Sequence, residues 1–292
     1  MTDNLQNSGV PSGFPSLDKI TGGWQPSDLI VVAARPSVGK TSFALTVARN
    51  AAVDYRIPVA FFSLEAPAVQ LAKRIMVSET DLSIDKIKGG QKLKRMEANR
   101  GEDQIFIRAP LYIDDTPSLP VLEFRSKVKR LVEQKGVRLV IVDYLQLMQG
   151  PAELRKMREQ EITFILKTLK STAEEMNVPV IALSQLSRPA VKRQGRNSRP
   201  QLSDLREAPE AIGQYADMVL LIHRYDDIDY YDAICLNAVS SAEAGRTDLI
   251  IAKHKNGECA DVPLKFLPFE LRFVMPPSPD LMLMTLTNRI IK

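Results

Sequence analysis

The sequence predicts an α/β protein whose central sheet is mostly parallel and carries an antiparallel extension at its C-terminal edge. Three observations support this. Five short runs, "DLIVVAA" (28–34), "PVAFFSLE" (58–65), "VRLVIVDY" (137–144), "VPVIALSQ" (178–185) and "ADMVLLIH" (216–223), are apolar on both faces instead of alternating, as strands covered by helices on both sides are. Stretches with helical spacing fall between most of them, which implies a doubly wound parallel sheet. The last runs, "DLIIAKH" (248–254), "VPLKFLPF" (262–269) and "LRFVM" (271–275), follow one another with no helical signal between them.

The helices justify themselves in the same way. In "LPVLEFRSKVKRLVEQKG" (119–136), Val121, Leu122, Phe124, Val128, Leu131 and Val132 fall largely on one face, and Gly136 supplies a C-terminal stop. In 157–177, Ile162, Ile165, Leu166, Leu169 and Ala173 recur at helical spacing. Three segments are expected along the chain: a mobile polar stretch over 1–12, one ATPase-type domain over 13–275, and a tail over 276–292. The tail is Pro-rich and then apolar, and fits a packed terminal strand better than a docking segment for a neighbouring subunit. No repeat of fixed period is present.

Composition excludes several classes. The 292 residues are 45% hydrophobic and 25% charged, those of an ordinary globular chain. No apolar run approaches the roughly 18 residues of a membrane span. The start has neither a basic n-region nor an apolar core, so no secretion signal is read. Cys235 and Cys259 are the only cysteines and form no C-x-x-C pair, which argues against zinc and against a disulfide framework. A cytoplasmic protein with reduced thiols is expected. A net charge of +4 permits a polyanionic partner without demanding one.

The chemistry begins where the first strand ends. "ARPSVGKTS" (34–42) sits between the strand "LIVVAA" and the helix-like "FALTVARNAA", the context that makes a phosphate-binding loop credible. Backbone N–H groups of Ser37, Val38, Gly39, Lys40, Thr41 and Ser42 are expected to converge on phosphate at a helix N-terminus. Lys40 would reach the β- and γ-phosphates, and the Thr41 hydroxyl would ligate Mg²⁺. The slot that the full motif gives to its first glycine holds Ala34. Asp143, ending the apolar run "LVIV", is the expected second carboxylate for the metal. Glu65 and Gln185 end two other strands, where ligands of open α/β sheets bind. Glu65 is the candidate for orienting an attacking water, and Gln185 for sensing the γ-phosphate. Together these strand ends point to an ATPase.

With these motifs assembled, a family resemblance follows. "SGFPSLDKITGGWQPSDLIVVAARPSVGKTSFAL", "SLE", "PLYIDDTP", "LVIVDYLQLM", "VPVIALSQLSR", "RPQLSDLRE", "ADMVLLIHR" and "IIAKHKNG" resemble, in order and spacing, the motor domain of the DnaB family of replicative DNA helicases. The resemblance runs from about Gly13 to Met275. It implies a RecA-like P-loop NTPase fold, a ring (a hexamer) around single-stranded DNA, and hydrolysis of ATP or another NTP with Mg²⁺ between subunits. It gives Lys40, Thr41, Glu65, Asp143 and Gln185 the roles stated above. It also implies that Lys253 and Lys255 enter the neighbouring subunit's site, with Lys255 at the position of the family's arginine finger. His254, between them, is expected on the opposite strand face.

Three departures accompany the resemblance. Lysine at 255 keeps the charge but lacks the planar fork of arginine, so slower turnover is expected. The loop "DLREAPEAIGQYAD" is one residue longer than its family counterpart, and Pro209 removes a backbone N–H from it. Only about a dozen residues precede the motor, so primase and loader contacts through the family's N-terminal elements are not expected. DNA contact is assigned to Arg188, Arg193, Arg196, Arg199, Arg206 and Glu207. The stretch also holds Lys192 and has no aromatic residue for base stacking. Two alternatives stand beside the helicase: a RecA-like recombination or repair ATPase on single-stranded DNA, and a weakly hydrolysing, nucleotide-dependent assembly protein.

Overall fold

The computed structural model describes residues 9–78, 108–187, 199–225 and 245–276. Arg188, Lys192, Arg193 and Arg196 of the expected DNA-contacting stretch lie outside these residues, as does the tail beyond Pro276. Within the segment expected to be mobile, Val10 and Ser12 are packed instead. Val10 pairs antiparallel with Trp24, and the Ser12 amide donates to the Asp18 carboxylate at 2.9 Å. An apolar slot for Val10 and a carboxylate for Ser12 outweigh the Gly/Pro character of the stretch.

The chain runs α1 (Pro15–Thr21), β1 (Leu29–Ala34), α2 (Lys40–Arg49), β2 (Val59–Ser63), α3 (Ala68–Ser78), β3 (Leu111–Asp114), α4 (Val121–Lys135), β4 (Leu139–Asp143), α5 (Arg158–Met176), β5 (Val180–Gln185), α6 (Pro209–Tyr215), β6 (Met218–Arg224), β7 (Arg246–His254), β8 (Asp261–Leu267) and β9 (Arg272–Val274). One sheet holds the strands in the order β3-β2-β4-β5-β1-β6-β7-β8-β9. The first six positions are parallel, and β7, β8 and β9 add antiparallel. The expected architecture is therefore the observed one. β3 is an additional parallel edge strand; its four half-buried residues give no apolar run to read.

Two apolar layers sandwich the sheet. On one face α4, α5 and α6 cover it, with Phe124 edge-on to Phe62 at 4.8 Å. On the other, α1 and α2 pack with the β8–β9 hairpin. Phe43 of α2 stacks on Phe14 at 5.7 Å and meets Phe273 edge-on at 5.8 Å. Burying an aromatic ring of this kind stabilises the fold by about 2–3 kcal/mol. Because Phe43 sits one turn into α2, this packing fixes the start of that helix, and with it the phosphate loop.

β6 and β7 contain one irregularity. Val219 pairs with Lys253 but Leu220 pairs with Ile251, so Ala252 is an extra residue in the strand. Such a bulge shifts every later side chain to the other face. Ala252 packs against the α4–α5–α6 layer, and Lys253 points to the same side.

Candidate functional site

β1 lies between β5 and β6, and β4 lies beyond β5. Their carboxyl ends, with that of β2, open on one crevice, as ligand sites of open α/β sheets do. Ala34 is the last residue of β1, buried and paired with Gln185 and Ile222. It is an extended strand residue, so nothing there requires glycine. Gly39 does need its type: φ is +108°, and a Cβ would stand 3.2 Å from the Phe273 ring. Ser37 also takes a positive φ, 64°, and Val38 is buried beneath the loop.

Lys40, Thr41 and Ser42 open α2, with Gly39 as its N-cap. The Thr41 hydroxyl donates to one Asp143 oxygen at 2.7 Å. The other Asp143 oxygen is buried without a hydrogen-bond partner. Burial raises the Asp143 pKa, against the pull of Thr41 and Lys40. Burial also lowers that of Lys40, and the Asp143 and Glu65 charges oppose the drop. Lys40 further lies 4.7 Å over the Tyr144 ring. A half-buried cation facing two carboxylates, one with an orphaned oxygen, suits a bound anion with its counter-cation. A hydroxyl and a carboxylate are the hard oxygen donors that Mg²⁺ accepts when phosphates complete its shell. Thr41 and Asp143 thus fit the metal. Among the described residues no cluster of three or more His, Cys, Asp or Glu side chains forms a metal cage without phosphate.

Glu65 is exposed just beyond β2, next to this pair. Gln185 ends β5, and its Oε1 accepts from Arg206 Nη1 at 3.2 Å. Arg206 also pairs with Glu207 at 3.0 Å, and Glu207 with Arg158 Nε at 2.8 Å. Arg158 then reaches Glu161 at 2.8 Å and the Gln146 carbonyl at 2.6 Å. Arg206 and Glu207 are therefore joined to the Gln185 strand end. Arg199 differs from the expectation of an open DNA contact: its guanidinium is held by Asp248 at 3.2 Å and by Asp261. Two strand carboxylates neutralise it. Pro209 starts a helix. It occupies the first turn of α6, where a missing N–H removes no helical hydrogen bond.

Lys253 and Lys255 lie elsewhere. His254 pairs with Met218, the first residue of β6, so the lysines are at the amino ends of the parallel strands. The six residues of β1 separate that end from the phosphate loop, about 20 Å at strand rise. Lys253 Nζ donates to the Gly213 and Ala216 carbonyls, both at 2.6 Å. The Lys255 ammonium is 3.5 Å from Asp217 and its side chain is 64% exposed. The His254 ring lies against Gly257, where a Cβ would come within 2.3 Å of it.

Asp28 joins this opposite end, and burial beside Asp217 pushes its pKa up to about 6, against Lys170, His254 and Lys255. A raised acid pKa means the folded chain holds this proton more tightly. The ionised carboxylate therefore costs stability above pH 6, and the cost disappears as pH falls towards 4. Asp28→Asn is expected to stabilise the chain at about pH 8 by about 1–2 kcal/mol after allowance for solvent screening, and by nothing at about pH 4. Urea unfolding at the two pH values checks both the size and the sign.

Two contributors carried no usable sequence signal. Arg224, at the end of β6, donates to the Val38 carbonyl at 3.1 Å and lies 5.2 Å over the Phe266 ring. It steadies the phosphate loop from beneath, yet in "LLIHR" it reads only as the charge that ends a strand. Arg158 reads as the start of an amphipathic helix.

A phosphate cradle of this kind, on this sheet with its antiparallel extension, places the chain in the RecA-like class of P-loop nucleotide-binding proteins. Sequence comparison narrows the class. The family model of the DnaB-like helicase C terminal domain matches residues 9–275, and the chain belongs to that family. It is 41% identical over 271 residues to the replicative DNA helicase DnaB of Geobacillus stearothermophilus, covering 91% of this chain and 56% of that protein. It is 42% identical over 263 residues to that of Haemophilus influenzae, covering 89% of this chain and 53% of the relative. The chain thus spans about half the length of these relatives. Among solved structures, an isolated ATPase domain superposes with a TM-score of 0.80 at 34% identity, covering 91% of both chains. A DnaB-like replicative helicase studied for its interactions with primase gives 0.79 at 35% identity, covering 91% of this chain and 62% of that one.

Proposed function

We propose that the chain is the motor of an ATP-driven DNA helicase, working as a ring on single-stranded DNA with Mg²⁺ as the cation. The observation that carries this reading is the separation of Lys255 from its own phosphate loop by the full length of β1. An exposed lysine at that distance cannot touch a nucleotide in its own site, but it can serve the site of a neighbouring copy stacked head to tail.

In this reading Lys40 holds phosphate oxygens, and Thr41 and Asp143 hold the metal, which neutralises phosphate charge when bound. Glu65 is exposed and free to orient a water. Gln185 lies next to the phosphates and is joined to Arg206 and Glu207, so occupancy of the site and of the loop at 205–208 influence one another. Basic residues of that loop region meet DNA phosphates, giving salt-dependent affinity with little sequence preference.

Displacement of a strand from a forked duplex, with ATP present, tests the reading. ATP-dependent unwinding by assembled protein is expected. DNA-stimulated hydrolysis without unwinding would favour the recombination-type ATPase instead. Nucleotide-dependent assembly without hydrolysis would favour the assembly protein.

A further inference from the structure

α6 runs between two ends of the machinery. Its leading end follows the loop Leu205–Ala208. There the Arg206 amide donates to the Gln185 carbonyl at 3.2 Å, and Glu207, at a φ of 70°, is held by Arg158 and Arg206. Its trailing end is gripped by the basic arm. Lys253 Nζ donates to the Gly213 and Ala216 carbonyls at 2.6 Å each. The Lys255 amide donates to the Asp217 carbonyl at 2.9 Å. Between the ends Ile212 is fully buried and Ala211 nearly so, and the helix packs on α5. Seven residues span about 10 Å at helical rise.

The bulge at Ala252 serves this contact. In a regular strand Lys253 would follow Ala252 onto the opposite face, over α2. The extra residue puts both on the α6 side. Two of the three ammonium protons then cap the last turn of α6, whose carbonyls have no partner within the helix.

We propose that α6 is a rigid connector through which an anion bound at the Arg206–Glu207 loop sets the position of Lys255, the residue offered to the next copy. Lys253 then acts here as a positioning residue, holding the arm to the connector. The proposal rests on the helicase reading above, in which the loop meets DNA and the arm acts in trans. It adds a route: the loop and the Gln185 strand end of one copy, through α6, to the nucleotide site of its neighbour.

The test is hydrogen exchange across 253–257 in the assembled full chain, with and without an oligothymidylate, alongside hydrolysis. In the parent, oligothymidylate is expected to change protection of the Lys255 amide by about threefold or more. Gly213→Pro breaks the helix interior. It should lose that response and the DNA stimulation of hydrolysis, while oligothymidylate affinity stays within about twofold. Lys253→Met keeps the apolar stem, removes the capping donors and should behave in the same way. Gly213→Ala, whose Cβ meets nothing within 4 Å, should keep the parent response. Oligothymidylate bound with no change at 253–257 in the parent would overturn the connector. So would full responses in both Gly213→Pro and Lys253→Met. A parent that fails to bind oligothymidylate sinks the helicase reading, and the connector with it.

Discussion

Lys40→Ala is expected to leave a folded chain whose nucleotide hydrolysis falls by a factor on the order of a hundred or more. The half-buried side chain lies among Asp143, Glu65 and the Tyr144 ring. Its loss removes the cation that faces both carboxylates. Two effects then oppose each other in the fold. The cost of desolvating an ammonium disappears, while Asp143 loses a counter-charge that now limits its raised pKa. Melting temperature should therefore move little compared with activity. Steady-state hydrolysis, nucleotide affinity and a thermal melt on the same preparation separate these effects. Unchanged hydrolysis would remove Lys40 from the site. Glu65→Gln offers a contrast, because Glu65 is exposed and its replacement leaves the cradle intact. Hydrolysis should fail there with nucleotide affinity retained.

Lys255→Ala should be as damaging, but only between copies. A residue supplied in trans to a phosphoryl-transfer site commonly contributes factors of about 10³ or more to rate. Lys255 has the exposure for that role, and its own phosphate loop lies at the other end of β1. Lys255→Arg should raise turnover above the parent, since a planar fork grips two oxygens where an ammonium grips one. Mixing tests the geometry directly. Lys40→Ala chains retain Lys255, and Lys255→Ala chains retain Lys40, so an equal mixture should regain about a quarter of parental activity through heterologous interfaces. Two separately inactive preparations that stay inactive when assembled together would show that the lysine does not act across an interface.

How much of this was legible in the sequence depended on what each residue's surroundings impose. The five buried parallel strands were readable because burial on both faces demands continuous apolar runs, and helices α4 and α5 because their apolar faces recur at helical spacing. β3 was not, since an edge strand with four half-buried residues leaves no such run. The cradle was legible from Gly39, Lys40 and Thr41 because backbone approach and metal ligation restrict those residue types. Asp143 was legible because an acid ending an apolar strand is uncommon. Arg224 and Arg158 were missed because their work is done through carbonyls and carboxylates brought close only by the fold. Arg199 was assigned to DNA on the charge of its stretch together with the family resemblance, whereas Asp248 and Asp261, distant in sequence, hold it in ion pairs. Pro209 lacks an N–H wherever it stands, and only the fold puts it in the first turn of α6. Composition describes what a side chain carries, and tertiary neighbours decide whether that charge remains available.

The extra residue in β7 makes the facing of Lys253 a matter of pairing register. Most substitutions near Lys253 change one contact. Were Ala252 paired with Val219 in regular alternation, the strand would straighten and its ladder with β6 would be unbroken, a change the sheet itself would welcome. Yet it would turn Lys253 to the opposite face, so the strand would gain regularity while the Lys253 contact with α6 was lost. At this point of the molecule the pairing register is as specific as any side chain, because it alone decides which layer Lys253 faces.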